Sequence, residues 1–169
     1  MGKRYITRRM AIYIALFPIF PAGCRRAMKD PASLVEMGDL FVSNQLIRGF
    51  HDIEMERWRW TAQNFSVTLK PPSASEQNGA TLLLRLFIPA VQIDKLGPIT
   101  LSSEVDDQVL DPQTFSKPGE YTYARDLPPA LLATNVLPVR FCLDRATRGT
   151  EKDGRELGIV VTSVGLISK

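Results

Sequence analysis

The stretch FSVTLKPPSASEQNGATLLLRLFI, residues 65–88, decides the fold class. Phe65, Val67 and Leu69 alternate with Ser66 and Thr68, the period-two pattern of a strand with one buried face. KPPSASEQNG (70–79) follows as a loop rich in turn residues. ATLLLRLFI (80–88) is apolar on both faces except at Arg85, which suits a central strand covered on both sides. Pro89 ends it, because proline cannot donate to a sheet ladder.

The same grammar runs outward from this stretch. PITLSSEV (98–105) alternates, DDQ (106–108) offers a turn into VLDP, and KPGEYTY (117–123) starts on a Pro-Gly turn. VRFCLD (139–144) points Val139, Phe141 and Leu143 inward, and LGIVVTSVGLI (157–167) closes the chain as a β-rich strand. DLPPALLATN (126–135) is the one helix-friendly segment, and Pro128 with Pro129 limits it to a short turn. Seven or eight strands with almost no helix predict an all-β fold, a two-sheet antiparallel β-sandwich of jelly-roll-like arrangement. Two cysteines, Cys24 and Cys142, do not suggest an immunoglobulin disulfide.

The net charge of +3 over 169 residues is unevenly spread. Lys3, Arg4, Arg8 and Arg9 stand together with no acidic neighbour, and setting them aside leaves 17 basic residues against 18 acidic ones. A near-neutral body with mixed charges has no phosphate-tracking footprint, so nucleic acid is not expected as a partner. One histidine and two distant cysteines give no zinc-ligand spacing, and neither a metal nor a cofactor is expected. GxSxG, phosphate-loop and dinucleotide motifs are absent from the sequence.

MGKRYITRR (1–9) is a basic leader, and MAIYIALFPIFPA (10–22) is an apolar run of 13 residues. That is the length of a secretory signal core and short of the roughly 20 residues a spanning helix needs. Ala22 and Gly23 precede Cys24, which resembles the bacterial lipoprotein box, where peptidase cleavage leaves a cysteine carrying a diacylglycerol. Pro21 departs from the aliphatic residue preferred there, and Arg25 and Arg26 oppose export. The expected organisation is a lipoprotein-like signal peptide at 1–23, a tether at 24–45 and a β-sandwich domain at 46–169. Lipidation at Cys24 would hold the protein on a membrane in the cell envelope, facing the periplasm or the exterior. A start at Met28 or Met37 would instead make it cytoplasmic.

RGFHDIEMERWRWTAQ (48–63) is the densest chemistry in the chain. In extended form Glu54, Glu56, Trp58 and Trp60 share one face and Arg57, Arg59 and Thr61 the other. Glu54, Arg57, Trp58 and Arg59 are the candidate ligand-binding residues, an indole stacking on a pyranose while charged groups hold its hydroxyls. The plainer reading puts Trp60 in the core, Trp58 over a sheet edge, and Glu54 with Arg59 as partners at the rim. Glu54 and Glu56 lie side by side rather than across a substrate, which argues against a glycosidase pair. Asp106 and Asp107 read as a solvated turn, and His51 as a rim or turn residue. Arg155 and Glu156 read as a loop-pinning pair or, together with Glu54 and Arg59, as one polar cluster.

GFHxIExxxxRWT, GPITLSSEV, PGEYTYARDLP and RELGIVVTSVGL together resemble a bacterial β-sandwich family found in envelope proteins and beside glycosyltransferase-like regions. The resemblance spans about residues 46–167. Its signature residues are Gly49, Phe50, Glu54, Arg59, Trp60 and Thr61, with Arg155, Glu156, Leu157 and Gly158. It implies a carbohydrate-binding-like sandwich and brings no activity with it. The expected function is therefore a non-catalytic, envelope-associated module that binds carbohydrate or another envelope component. The rivals are a protein–protein assembly module, and a glycan-acting hydrolase using Glu54.

Overall fold

The computed structural model describes Gly2, residues 30–149 and residues 153–169. Cys24, and the signal segment apart from Gly2, lie outside the described residues. The elements run β1 (Leu34–Glu36), β2 (Leu46–Glu54), β3 (Trp58–Leu69), α1 (Ser75–Asn78), β4 (Ala80–Ile88), α2 (Ala90–Leu96), β5 (Ile99–Val105), β6 (Gln108–Phe115), β7 (Gly119–Leu127), β8 (Leu137–Leu143) and β9 (Val160–Ser168). Single 3-10 turns occupy Leu40–Val42 and Pro129–Leu131.

Every strand pairing is antiparallel, and the strands form a two-sheet β-sandwich of jelly-roll type. One layer runs β7-β4-β9, with β1 and the start of β3 end to end along the far edge of β9. The other runs β6-β5-β8-β3-β2. The two share β3, whose Arg59 and Trp60 pair with Val161 and Val160 of β9 while Asn64–Leu69 pair with Leu137–Cys142 of β8.

The core lies between the layers, filled by the alternating residues that the strand patterns single out. Phe65, Val67 and Leu69 from β3 and Leu82, Leu84 and Ile88 from β4 are wholly buried. Phe65 stacks on Phe141 at 4.9 Å and meets Phe50 edge-on at 5.4 Å. Burying such a ring stabilises the fold by roughly 3 kcal/mol. The Tyr123 hydroxyl, deep in this core, donates to the Asp111 carbonyl at 3.0 Å and shares a hydrogen bond with Ser103 Oγ at 2.8 Å. Burial pushes the Tyr123 pKa up.

Three local expectations are revised. The packed domain takes in residues that read as tether. β1 pairs with β9, Val35 and Met37 are fully buried, and Val42 is nearly so. Gln45 fastens this segment, donating to the carbonyls of Ala32 and Thr68 and accepting from the Ala32 amide. Second, residues 90–96 form a helix, started by Pro89 and stopped by Gly97 at φ 74°. Third, 54–60 is not one extended run, since Met55 and Glu56 both take positive φ, 51° and 56°, and turn the chain back on itself. No helix among the described residues is long and apolar enough to cross a membrane.

Candidate functional site

The Met55–Glu56 turn sets the site. With Met55 and Glu56 both at positive φ the chain reverses tightly, the Arg57 amide donates to the Glu54 carbonyl at 3.1 Å, and residues 55–57 make a three-residue hairpin loop. The turn rests on Gly38, where a Cβ would run into the Glu56 carbonyl. Below it Glu54 faces Trp58 directly across the hairpin, and Glu56 is left exposed at the tip. From Trp58 the strand alternates: Trp58 and Trp60 face outward, half-buried, while Arg59 and Thr61 turn into the sandwich.

Pairing then assembles a row that the local sequence does not show. Trp60 sits beside Val160 of β9, Val160 beside Phe87 of β4, and Phe87 beside Glu120 of β7. Val160 and Thr162, two residues apart on β9, share this outer face, and the β4–β9 ladder shifts register between Arg85 and Leu86 beside them. The result is a groove of about 430 Å³ lined by Trp58, Trp60, Phe87, Pro89, Val160 and Thr162, with Glu54 and Glu120 as its carboxylates. A second depression of about 400 Å³ shares Phe87, Glu120 and Thr162 and extends the groove past Arg85, Tyr121 and Thr122.

Glu54 is held in place from the far end of the chain. Arg155 Nη1 donates to Glu54 Oε1 at 2.9 Å, and its Nε and Nη2 clasp Asp153. These hydrogen bonds pull the Asp153 pKa down to about 2 and raise that of Arg155. Glu156 turns elsewhere: its Oε2 accepts from the Gln63 amide at 2.9 Å, and its carbonyl accepts from His51 Nε2 at 2.6 Å. His51 is thereby a bracing residue. Two residues on, Gly158 donates to the Thr61 carbonyl at 2.6 Å, and Thr61 Oγ1 accepts from the Ile159 amide. A side chain at Gly158 would collide with Leu143 and Thr61, so only glycine lets the two segments approach this closely.

Arg59 lies on the opposite side of β3 from the tryptophans. It is 9% exposed and donates from Nε to the Met37 carbonyl at 3.2 Å and from Nη1 to the His51 carbonyl at 2.9 Å. Burial lowers its pKa, opposed by the charge of Asp52. Arg57 is exposed just beyond the turn and does not line the groove. Of the residues singled out in the sequence, the structure therefore brings Glu54, Trp58 and Trp60 together with Arg155. Arg59, Arg57 and Glu156 lie apart from the groove. Phe87, Glu120, Val160 and Thr162 were not singled out in the sequence. Phe87 alone carried a local signal, being an aromatic ring on the Arg85 side of β4. Among the described residues no group of three or more His, Cys, Asp or Glu side chains is placed to hold a metal ion.

No protein-family model matches the chain, and no curated protein matches it. Solved structures do resemble it. A family 35 carbohydrate-binding module from an environmental isolate is 12% identical over 80% of this chain and 93% of its own, with a TM-score of 0.49. The carbohydrate-binding module CBM36, solved with calcium and xylotriose, is 10% identical over 79% of this chain and 98% of its own, with a TM-score of 0.41. An acetyl xylan esterase from the rumen bacterium Butyrivibrio proteoclasticus is 11% identical over 80% of this chain but 32% of its own, with a TM-score of 0.44.

Proposed function

We propose that the protein is a non-catalytic β-sandwich module that binds carbohydrate along the outer groove of the β3-β9-β4-β7 layer. One observation carries the reading. Both tryptophans of the chain lie in a single half-buried aromatic row with Phe87, between two carboxylates and a set of threonine hydroxyls. Indole and phenyl faces take the C–H face of a sugar ring, while Glu54, Glu120, Thr122 and Thr162 offer acceptors and donors for its hydroxyls. A groove open along a sheet suits a chain of sugars. The ion pair of Glu54 with Arg155, which occupies one oxygen of one of the groove's two carboxylates, supports a binding role over an acid–base one. The lipid at Cys24 belongs to the same proposal, placing the groove in the cell envelope.

A glycan array probed with the wild type, Trp58→Ala, Trp60→Ala and Arg57→Ala tests this. Wild type and Arg57→Ala should bind the same glycans equally. Each tryptophan variant should bind about ten-fold more weakly, the equivalent of about 1.4 kcal/mol of lost stacking. Equal binding by all four proteins, or glycan cleavage abolished by Glu54→Gln, would contradict the proposal.

A further inference from the structure

We propose that Arg155 is a positioning residue of the groove, fixing Glu54 so that its second oxygen meets a hydroxyl of a neutral sugar ring stacked on Trp58. The inference rests on the carbohydrate reading and narrows it to a ligand class and a subsite. Glu54 stands directly across the hairpin from Trp58. Cross-strand neighbours are about 5 Å apart, so a ring lying on the indole sets its rim hydroxyls beside that carboxylate. Arg155 Nη1 donates to Glu54 Oε1 at 2.9 Å, and no hydrogen bond among the described residues reaches Oε2. A carboxylate only accepts, so Oε2 accepts from a sugar hydroxyl and repels the carboxylate of a uronic acid.

The backbone that carries Arg155 is pinned from several sides. Asp153 accepts from its amide at 3.1 Å and clasps its Nε and Nη2. Leu157, two residues on, exchanges both backbone hydrogen bonds with Thr147 at 2.9 Å. Gln92 of α2, 1% exposed, donates from Nε2 to the carbonyls of Leu157 and Gly158 at 2.7 and 2.9 Å. That helix begins at Pro89, so the groove wall and the clasp are tied to one element. Neither Arg155 nor Asp153 lines the groove, and their effect on binding therefore passes through Glu54. Without Arg155 the sugar itself would have to order a glutamate side chain, which costs about five-fold in affinity.

Isothermal titration of the full chain tests the inference, with neutral hexasaccharides of glucose, xylose, mannose, galactose and N-acetylglucosamine set against hexagalacturonate. The variants are Glu54→Ala, Arg155→Met, the two combined, and Asp153→Asn, each checked for folding by its melting curve. The wild type should bind a neutral hexasaccharide in preference to hexagalacturonate. On that probe Glu54→Ala should weaken binding about ten-fold, the loss of one hydrogen bond to a charged group, and Arg155→Met about five-fold. The combined variant should bind no more weakly than Glu54→Ala, because Arg155 then has nothing left to position. Asp153→Asn loosens the clasp and should weaken binding in the same direction, which keeps the test open if Arg155→Met does not fold. Wild-type affinity in Arg155→Met or Asp153→Asn overturns the inference, as does preference for hexagalacturonate. So does a combined loss of about fifty-fold, the product expected of independent effects. A wild type that binds no probe, or a Trp58→Ala protein that binds like it, removes the groove reading itself and this inference with it.

Discussion

Thr61 shows how a residue drawn into a family-like signature can act through the backbone. Its amide donates to the Ile159 carbonyl, its carbonyl accepts from Gly158, and its hydroxyl accepts from the Ile159 amide, all with the side chain fully buried. Thr61→Val keeps the shape and removes the hydroxyl, leaving the Ile159 amide without that acceptor. The change should cost about 1–3 kcal/mol of stability, read from a urea titration. Asp153 predicts a pH effect of definite sign. Its pKa falls from 3.8 to about 2 on folding, so its contribution is complete above pH 3.8 and is lost as pH drops toward 2. In melting curves across that window, Asp153→Asn should lose stability less steeply than the wild type. Parallel curves would mean that the Arg155 clasp contributes nothing to folding.

The strands were legible because alternation is a local property. β4, β5 and β8 fall within a residue or two of the stretches that define them. β1 was hidden, since three residues of LVE become a strand only when β9 lies beside them. α2 was hidden by its brevity, although the Pro89 and Gly97 that bound it were visible. The hairpin β2–β3 was misread as one extended run because Met55 and Glu56 are not the residues usually found at positive φ. Gly49 in β2 makes the reverse point. It takes φ 74°, and a Cβ there would run into the Asn64 carbonyl and Phe65. Gly49→Ala should therefore destabilise the domain by more than about 1 kcal/mol, measured by the same urea titration. A neutral result would show that β2 can slide on β3 without cost.

At the scale of the molecule, two stretches about a hundred residues apart are one structural unit. Arg155 reaches Glu54, Glu156 reaches Gln63 and His51, and Gly158 reaches Thr61. The resemblance noted in the sequence thus falls largely on a clasp that closes the sandwich, with Trp60 as its outward-facing member. The aromatic part of the groove was readable because Glu54, Trp58 and Trp60 belong to one hairpin. Phe87, Glu120, Val160 and Thr162 were not, because only the pairing of β9 and β4 with their neighbours carries them there. The chain has two tryptophans, and both line the groove, so fluorescence excited selectively at tryptophan reports on the groove alone. The most direct measurement is a titration of that fluorescence with the oligosaccharides bound on the array. A saturable change in intensity or emission maximum, lost in Phe87→Ala, is the predicted result. Saturating glycan binding with no change in tryptophan emission would put the sugar elsewhere and contradict the account.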